Sequence, residues 1–202
     1  MKTKSIIAIL IIALLLSLFG CGAKEASADD TVVRFSDAMK TFDLKTMGGC
    51  VANGEDVSDL NVESDETFGA LVDYFKQWAG SLQYSVVSSE ENGDHGTVVV
   101  EYTYTDASAV FSDAMADYFT QGMALSLNGA SDEEISDLLT TLLVEKAKTA
   151  QLGTKQATVN YPMIKADGVW KIEELPEGAM HVVTSDLLRA AAAMAEAISD
   201  AD

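Results

Sequence analysis

Apolar residues three or four positions apart open the globular part of the chain and predict an amphipathic helix. They are Val32, Phe35, Met39 and Phe42. Asp43 can cap a second short turn over residues 44–47, and Gly48-Gly49 should end it because glycine disfavours helix. We therefore expect one helix followed by a single turn.

A second helix is predicted after the acidic loop at residues 54–66, with Ser64 or Asp65 as its cap and Gly80 as its end. Its apolar positions form a single stripe, which indicates a face packed in the core. The stripe contains Phe68, Leu71, Val72, Phe75 and either Trp78 or Ala79.

Two hairpins follow from the alternation of apolar and polar residues. Residues 82–90 and 97–105 flank the turn at residues 92–96, and residues 156–164 and 169–173 flank the turn at residues 166–168. Alternation places one set of side chains on a common apolar face of each hairpin. That set is Val98, Val100, Tyr102 and Tyr104 in the first hairpin, and Ala157, Val159, Tyr161, Met163, Trp170 and Ile172 in the second.

Helices separate and follow the hairpins. A long helical stretch opens at Asp106 and breaks at Asn128-Gly129, and a capping box of Ser131 and Glu134 begins the next helix, over residues 135–150. An alanine-rich amphipathic pattern over about residues 184–200 predicts a C-terminal helix. The elements describe an α+β domain of about four strands with a helical insertion at about residues 106–150.

The opening helix VVRFSDAMKTFDLKTM and the closing strand DGVWKIEEL, with the order of elements between them, resemble the nuclear transport factor 2-like fold. The resemblance covers residues 31 to about 175 and is to the form of this fold found in extracytoplasmic lipoproteins of Gram-positive bacteria, whose domains have no assigned function. It implies a curved antiparallel sheet packed on the N-terminal helices, forming a cone that can enclose a cavity. Function does not follow, because this fold hosts enzymes, binding modules and interaction domains.

The N-terminus has the pattern of an export signal. Lys2 and Lys4 precede the apolar residues 6–19, which only Ser17 interrupts and which are too short for a comfortable membrane span. Residues 18–21 (LFGC) resemble the bacterial lipobox, in which the cysteine is diacylated and becomes the new N-terminus. Cys21 is therefore the predicted lipidation site, and an uncleaved anchor helix is the alternative.

The expected organisation is a signal peptide at residues 1–20, a flexible tether at residues 21–30 and one domain at residues 31–202. The tether sequence is small and polar, which favours a flexible segment. The remaining length and apolar content suit a single core. The predicted location is the outer face of the cell membrane, with the lipid at Cys21 as the anchor.

Charge narrows the possible partners. The chain has 13 basic and 32 acidic residues, a formal net charge of −19. Residues 1–20 hold two of the lysines and no acid, so the remainder carries 11 basic and 32 acidic residues, net −21. This balance argues against nucleic acid, which requires clustered Lys and Arg. It also repels anionic headgroups, so the domain should stand away from the membrane.

No motif in the chain predicts a metal, a cofactor or a catalytic group. The acidic loop lacks the spacing of a calcium site, and neither HExxH nor paired CxxC is present. If Cys21 is lipidated, Cys50 has no partner in the chain, and we expect it to be a buried small hydrophobe. A catalytic thiol would require a histidine, and neither His95 nor His181 has a spacing that links it to Cys50.

Five aromatic residues are the candidate pocket. Tyr102, Tyr104, Tyr161 and Trp170 share the apolar sheet face and should point toward Trp78, where they either line a cavity or fill the core. We expect a non-catalytic binding or interaction domain with a small hydrophobic ligand or an envelope protein as partner. The alternatives are a small-molecule enzyme, in which a buried carboxylate would share the cavity with tyrosine hydroxyls, and a purely structural protein.

Overall fold

The computed structural model describes residues 26–53, 57 and 69–199. These residues form an α+β domain built on an open four-stranded antiparallel sheet, as the sequence predicts. Helices precede the sheet, interrupt it between its second and third strands, and follow it. In chain order the elements are α1 (Ala28–Thr41), α2 (Leu44–Cys50), α3 (Val72–Ala79), β1 (Gln83–Asn92), β2 (His95–Asp106), α4 (Ser108–Leu127), α5 (Asp132–Thr149), β3 (Gly153–Ala166), β4 (Val169–Ile172), α6 (Glu177–Val183) and α7 (Leu187–Ser199).

The sheet has the strand order β1-β2-β3-β4, so the two predicted hairpins are joined through β2 and β3. The predicted apolar faces are buried. Val98, Val100, Tyr102 and Tyr104 alternate with exposed or half-buried neighbours on β2, and Val159, Tyr161 and Met163 do so on β3. Side chains alternate between the two faces of a strand. The buried residues therefore form an inner face that helices cover, and the residues between them form a polar outer face.

Both edges of the sheet are modified. β1 has an irregular register between Val86 and Ser88, and such bulges discourage pairing with another strand. At the other edge, Val51 forms a parallel bridge with Ile172, and the Ala52 N–H donates to the Ile172 carbonyl at 2.8 Å. The residue after α2 therefore continues the sheet beyond β4.

α1 lies across the inner face and buries Val32, Phe35 and Met39 there. The helix begins at Ala28, earlier than expected and inside the segment interpreted as a tether. A capping interaction explains the early start, because the Ser27 N–H and hydroxyl both donate to the Asp30 carboxylate, at 3.0 and 2.8 Å. Ala28 is itself fully buried, so residues 28–30 belong to the folded domain.

Several helix boundaries differ from the sequence prediction. α2 continues through Gly48-Gly49 to Cys50, because the extra turn buries Cys50 in the core. α3 begins at Val72, and the predicted caps Ser64 and Asp65 lie outside the described residues. α6 has no counterpart in the prediction. It is a single short segment that follows Pro176, too short to show a periodic pattern.

The helical insertion is confirmed as an antiparallel pair, α4 and α5. The predicted capping box is present at the start of α5, where the Glu134 N–H donates to Ser131 Oγ at 3.2 Å and the Ser131 N–H donates to Glu134 Oε2 at 2.8 Å. The C-terminal helix α7 begins at Leu187 rather than near residue 184, and residues 184–186 form a buried turn between α6 and α7.

We expect Gly96→Ala to reduce the free energy of unfolding by about 1–3 kcal/mol, the usual cost of overpacking. A Cβ at position 96 would lie 2.6 Å from the Glu90 carbonyl oxygen, which belongs to the paired strand and cannot move independently. Gly153→Ala is the matched control, since a Cβ there meets nothing within 4 Å. Urea denaturation of both variants measures the difference, and equal stability of the two would contradict the close-contact argument.

Candidate functional site

The five predicted pocket residues are all buried. The exposed fractions are 6% for Trp78, 1% for Tyr102, 3% for Tyr104, 0% for Tyr161 and 3% for Trp170. Tyr102, Tyr104, Tyr161 and Trp170 lie on the inner face of the sheet, and Trp78 lies on α3. The inner face thus brings large aromatic side chains into one interior, packed under α1.

A chain of buried hydroxyl groups connects α1 to the sheet. The Tyr102 hydroxyl lies 2.6 Å from Ser36 Oγ and 2.8 Å from the Tyr161 hydroxyl. Phe35 packs edge-on against the Tyr161 ring, with centroids 5.8 Å apart. Burial raises the pKa of Tyr102 to about 12 and raises that of Tyr161 well above its usual value. Both phenols are therefore neutral over the physiological range and satisfy one another's hydrogen-bonding capacity.

Tyr104 lies at the other end of the inner face, beside a buried carboxylate. Asp186 is fully buried, and its Oδ2 accepts hydrogen bonds from Lys155 Nζ at 2.5 Å and from the Arg189 guanidinium at 2.6 Å. Lys155 is the cross-strand partner of Tyr104, so β2 and β3 place both side chains toward this carboxylate. Burial, followed by the nearby Asp186 charge, raises the pKa of Tyr104.

Two opposing effects act on the Asp186 carboxyl. Burial removes it from water and raises its pKa. The Tyr104 hydroxyl beside it acts in the opposite direction and lowers that pKa, while the Lys155 ammonium and the Arg189 guanidinium lie at hydrogen-bond distance from the carboxylate. Lys155 and Arg189 are partly exposed, so these two cations extend from the buried Asp186 carboxylate to the protein surface.

The turn that carries Asp186 has an unusual backbone. Ser185 and Asp186 both adopt left-handed conformations, with φ of 52° and 62°. Such conformations cost about 1–3 kcal/mol for a residue other than glycine and persist only where the surroundings impose them. Here the Ser185 carbonyl accepts a hydrogen bond from the Ala107 N–H at 2.8 Å, and the ion pairs hold Asp186. Through these contacts, the turn links the end of β2 to the start of α7.

Trp78 borders a surface cleft of about 530 Å³ between α3, the end of α5 and the ends of β2 and β3. The aromatic wall is formed by Tyr74 and Trp78, whose ring centroids lie 5.9 Å apart. Ser81 and Thr105 are on the polar side, with hydroxyl oxygens 2.7 Å apart. The remaining lining residues are Gln77, Ala147, Lys148, Ala150, Leu152, Gly153 and Thr154.

A second depression, of about 400 Å³, crosses β1, β2 and β3. Its lining consists of three cross-strand rows. These are Gln83, Thr103 and Gln156; Tyr84, Tyr102 and Ala157; and Ser85, Glu101 and Thr158. Tyr102 is the predicted pocket residue that borders it, although its ring points inward. This depression is mainly polar.

Cys50 is buried, as expected, and lies 3.2 Å from Arg34 Nε and 3.3 Å from the Thr46 carbonyl oxygen. His95 lies near Glu173 and His181 near Glu177, at ion-pair distances of 3.9 and 3.4 Å. Within residues 26–53, 57 and 69–199, no group of three or more His, Cys, Asp or Glu side chains is arranged to hold a metal ion. No helix in the same part of the chain has the length and apolar character needed to cross a membrane.

Two features were not predicted from the sequence. One is the buried Asp186 with its partners Lys155 and Arg189, and the other is the hydrogen bond between Ser36 on α1 and Tyr102. Alternation along β3 could have indicated the first of these features. Lys155 continues the series that places Ala157 and Val159 inward, and a cation on an apolar face requires an anionic partner. The identity of that partner could not be read from the chain. Asp186 comes from a turn 31 residues away in sequence.

Comparisons with protein-family models, with curated proteins and with solved structures gave no match.

We expect Tyr102→Phe to lower the free energy of unfolding by about 1–3 kcal/mol, because it leaves the buried hydroxyls of Ser36 and Tyr161 without their shared partner. Tyr84→Phe is the matched control, since the Tyr84 hydroxyl bonds the exposed carboxylate of Asp37, at 2.8 Å, where water can replace it. Chemical denaturation compares the two.

Removing all three hydroxyls together, with Ser36→Ala, Tyr102→Phe and Tyr161→Phe, should cost less than the sum of the single changes. Additive losses would show that the three hydroxyls do not act as one hydrogen-bonded chain.

Proposed function

We propose that this protein is a lipid-anchored extracytoplasmic domain that binds a small ligand without transforming it. The anchor is Cys21, within the lipobox-like residues 18–21. A diacyl lipid suits this role, because each buried methylene contributes about 0.8 kcal/mol and one acyl chain alone binds a membrane only marginally. The resemblance to nuclear transport factor 2-like lipoproteins is consistent with this location.

The observation that supports ligand binding is the Tyr74–Trp78 cleft. Its volume of about 530 Å³ lies within the range of small-molecule sites, roughly 300–1,000 Å³. Aromatic rings supply contact area, and the hydroxyls of Ser81 and Thr105 can orient a polar edge of the ligand. We therefore propose a small ligand with an apolar face and at least one hydrogen-bonding group.

Neighbouring aromatic rings in the core hold the Trp78 side chain in place. Its ring packs edge-on against Phe75, with centroids 5.7 Å apart, and Phe75 stacks on Phe42 at 5.8 Å. A ring that is held by its neighbours loses little conformational freedom when a ligand binds, which favours affinity.

The absence of catalysis is supported by how the inner-face tyrosines are used. Tyr102 and Tyr161 bond one another and Ser36 inside the core, and Tyr104 lies beside a carboxylate that two cations already engage. The hydroxyl and carboxylate oxygens that an acid–base reaction would need are therefore already engaged in contacts that stabilise the fold.

A small-molecule enzyme is the second candidate, and one feature favours it. Asp186 is a fully buried acid beside a tyrosine, and its Oδ1 has no hydrogen-bond partner among the described residues. An acid of this kind is a recognised mark of a catalytic centre. A chemical role would require Asp186 to release Lys155 or Arg189 when substrate binds. A purely structural envelope role is the third alternative.

The cleft is tested with the neutral dye N-phenyl-1-naphthylamine. In a Trp170→Phe background Trp78 is the sole tryptophan, since the chain has two. We expect saturable quenching of its emission on dye addition, and Tyr74→Ala should weaken dye binding about tenfold, which corresponds to ~1.4 kcal/mol.

Val87→Ala provides the control for this measurement, because Val87 is 55% exposed on β1 and does not line the cleft. It should leave dye binding unchanged. Equal effects of the two substitutions, or no saturable quenching in the parent, would contradict the proposed site.

The anchor is tested by producing Cys21→Ser in a bacterial host that processes lipoproteins. We expect an unprocessed precursor in the membrane fraction that lacks the mass of a diacylglycerol group, whereas Cys50→Ala should mature normally. Mass spectrometry of the purified chains distinguishes the two. Unchanged maturation of Cys21→Ser would refute the lipoprotein assignment and leave the cleft proposal standing.

A further inference from the structure

The helical insertion has an apolar stripe on the side of α4 that faces away from the domain. Phe119, Met123 and Leu127 are 53%, 69% and 84% exposed, and they lie one turn apart along the helix. We call these three residues the apolar stripe. Exposed apolar residues are unremarkable when scattered, but three in a row on one helix face indicate a contact surface.

Other sides of α4 already have their partners. Val110, Phe111 and Ala114 are buried, and Gly122 faces Ile135 of α5. The C-terminal helix α7 also contacts α4, so two helices cover it and the stripe lies on the face that stays exposed. A helix with a buried side normally has polar residues on its exposed face, whereas here that face is apolar.

A row of small residues lies beside the stripe. Ala116, Thr120 and Ala124 are also exposed and follow the same four-residue spacing, so they form a shallow groove next to the large side chains. Helices that cross at about −50° pack four-residue ridges of one into the grooves of the other. The exposed face of α4 contains both the ridge and the groove that this geometry requires.

The stripe is symmetric about Met123, since Phe119 precedes it by four residues and Leu127 follows it by four. A two-fold axis through Met123 places Phe119 opposite Leu127 of the partner subunit and each Met123 opposite the other. Two-fold interfaces use the same surface on both subunits, and this surface is self-complementary in that sense.

The distribution of charge also favours a second copy of this chain as the partner that binds the apolar stripe. The whole chain has a net charge of −19, so most of its surface repels a second copy. Residues 118–131 contain no charged side chain, and Asp117, at the border, is paired with Lys146 at 2.6 Å. The acidic first turn of α5 begins at Asp132, and α5 contacts α4 at Gly122, about 100° around the helix from Met123.

We propose that two copies of this chain associate in antiparallel fashion through the apolar stripe, with the two-fold axis at Met123. The contact goes beyond ligand binding and does not depend on the Tyr74–Trp78 cleft. Three exposed side chains per subunit form a small patch compared with stable interfaces, which bury roughly 1,200–2,000 Å². The dimer is therefore weak and reversible, and covalent trapping is the suitable measurement.

The first experiment places a cysteine on the proposed axis. Cells that make the full chain with Met123→Cys are oxidised with copper phenanthroline, and dimers are measured by non-reducing electrophoresis. We expect at least fivefold more disulfide dimer than with Gln121→Cys, a matched control that is also exposed but lies on another side of α4. Equal yields would indicate random collision and overturn the proposal, and so would a cross-link only to a different protein.

The second experiment tests the antiparallel arrangement. Two differently tagged chains, one with Phe119→Cys and one with Leu127→Cys, are produced together. The mixed dimer should exceed both self-linked dimers, because eight residues of helix separate equivalent positions by ~12 Å. Preferential self-linking of Phe119→Cys would overturn the two-fold geometry. Adding Phe119→Asp to the Met123→Cys chain should abolish trapping without disturbing the fold, since position 119 is exposed.

Discussion

The packing of α1 on the inner face of β2 and β3 is the contact on which the rest of the structure depends. Val32, Phe35 and Met39 lose contact with water there, and the gain from that burial is the main driving force for the fold. The same contact removes the Ser36, Tyr102 and Tyr161 hydroxyls from solvent. Their mutual hydrogen bonds remove the penalty that unpaired polar groups would otherwise impose on this interface.

A second constraint acts at the far end of the same sheet face. The turn at residues 184–186 adopts two consecutive left-handed conformations in order to insert Asp186 beneath the end of β2. Lys155 and Arg189 stabilise the inserted carboxylate, and the Ala107 N–H holds the turn to the point where β2 leads into α4. The Ala107–Ser185 hydrogen bond thus links the start of the helical insertion to this turn, and the two ion pairs of Asp186 link the turn to β3 and to the C-terminal helix.

These interior contacts place the surfaces that we assign to binding on the outside of the domain. Trp78 is held by Phe75 and presents its remaining edge to a cleft beside α5, while α5 contacts α4 and leaves the apolar stripe exposed. One surface is a cleft that both aromatic and polar groups line, which suits a small molecule. The other is convex, uncharged and repeated in every copy of the chain, which suits self-association.

The amino-acid sequence by itself determined the elements whose signals are local. Alternation on β2 and β3 was sufficient to predict which side of the sheet is buried, and Ser131 with Glu134 was sufficient to predict the start of α5. Apolar periodicity likewise predicted α1 and α7, although α1 begins earlier and α7 later than expected. These signals arise from residues close together in the chain, where side-chain direction follows directly from backbone geometry.

Only the tertiary structure decided whether the aromatic inner face is a cavity wall or a core. The sequence predicted that Tyr102, Tyr104, Tyr161 and Trp170 share a face, but their enclosure depends on α1 and on the turn that carries Asp186. The continuation of α2 through Gly48-Gly49 was decided in the same way, since burial of Cys50 outweighed the low helix propensity of glycine. Contacts between residues distant in the chain depend on how whole elements pack, and no local pattern encodes the distance between them.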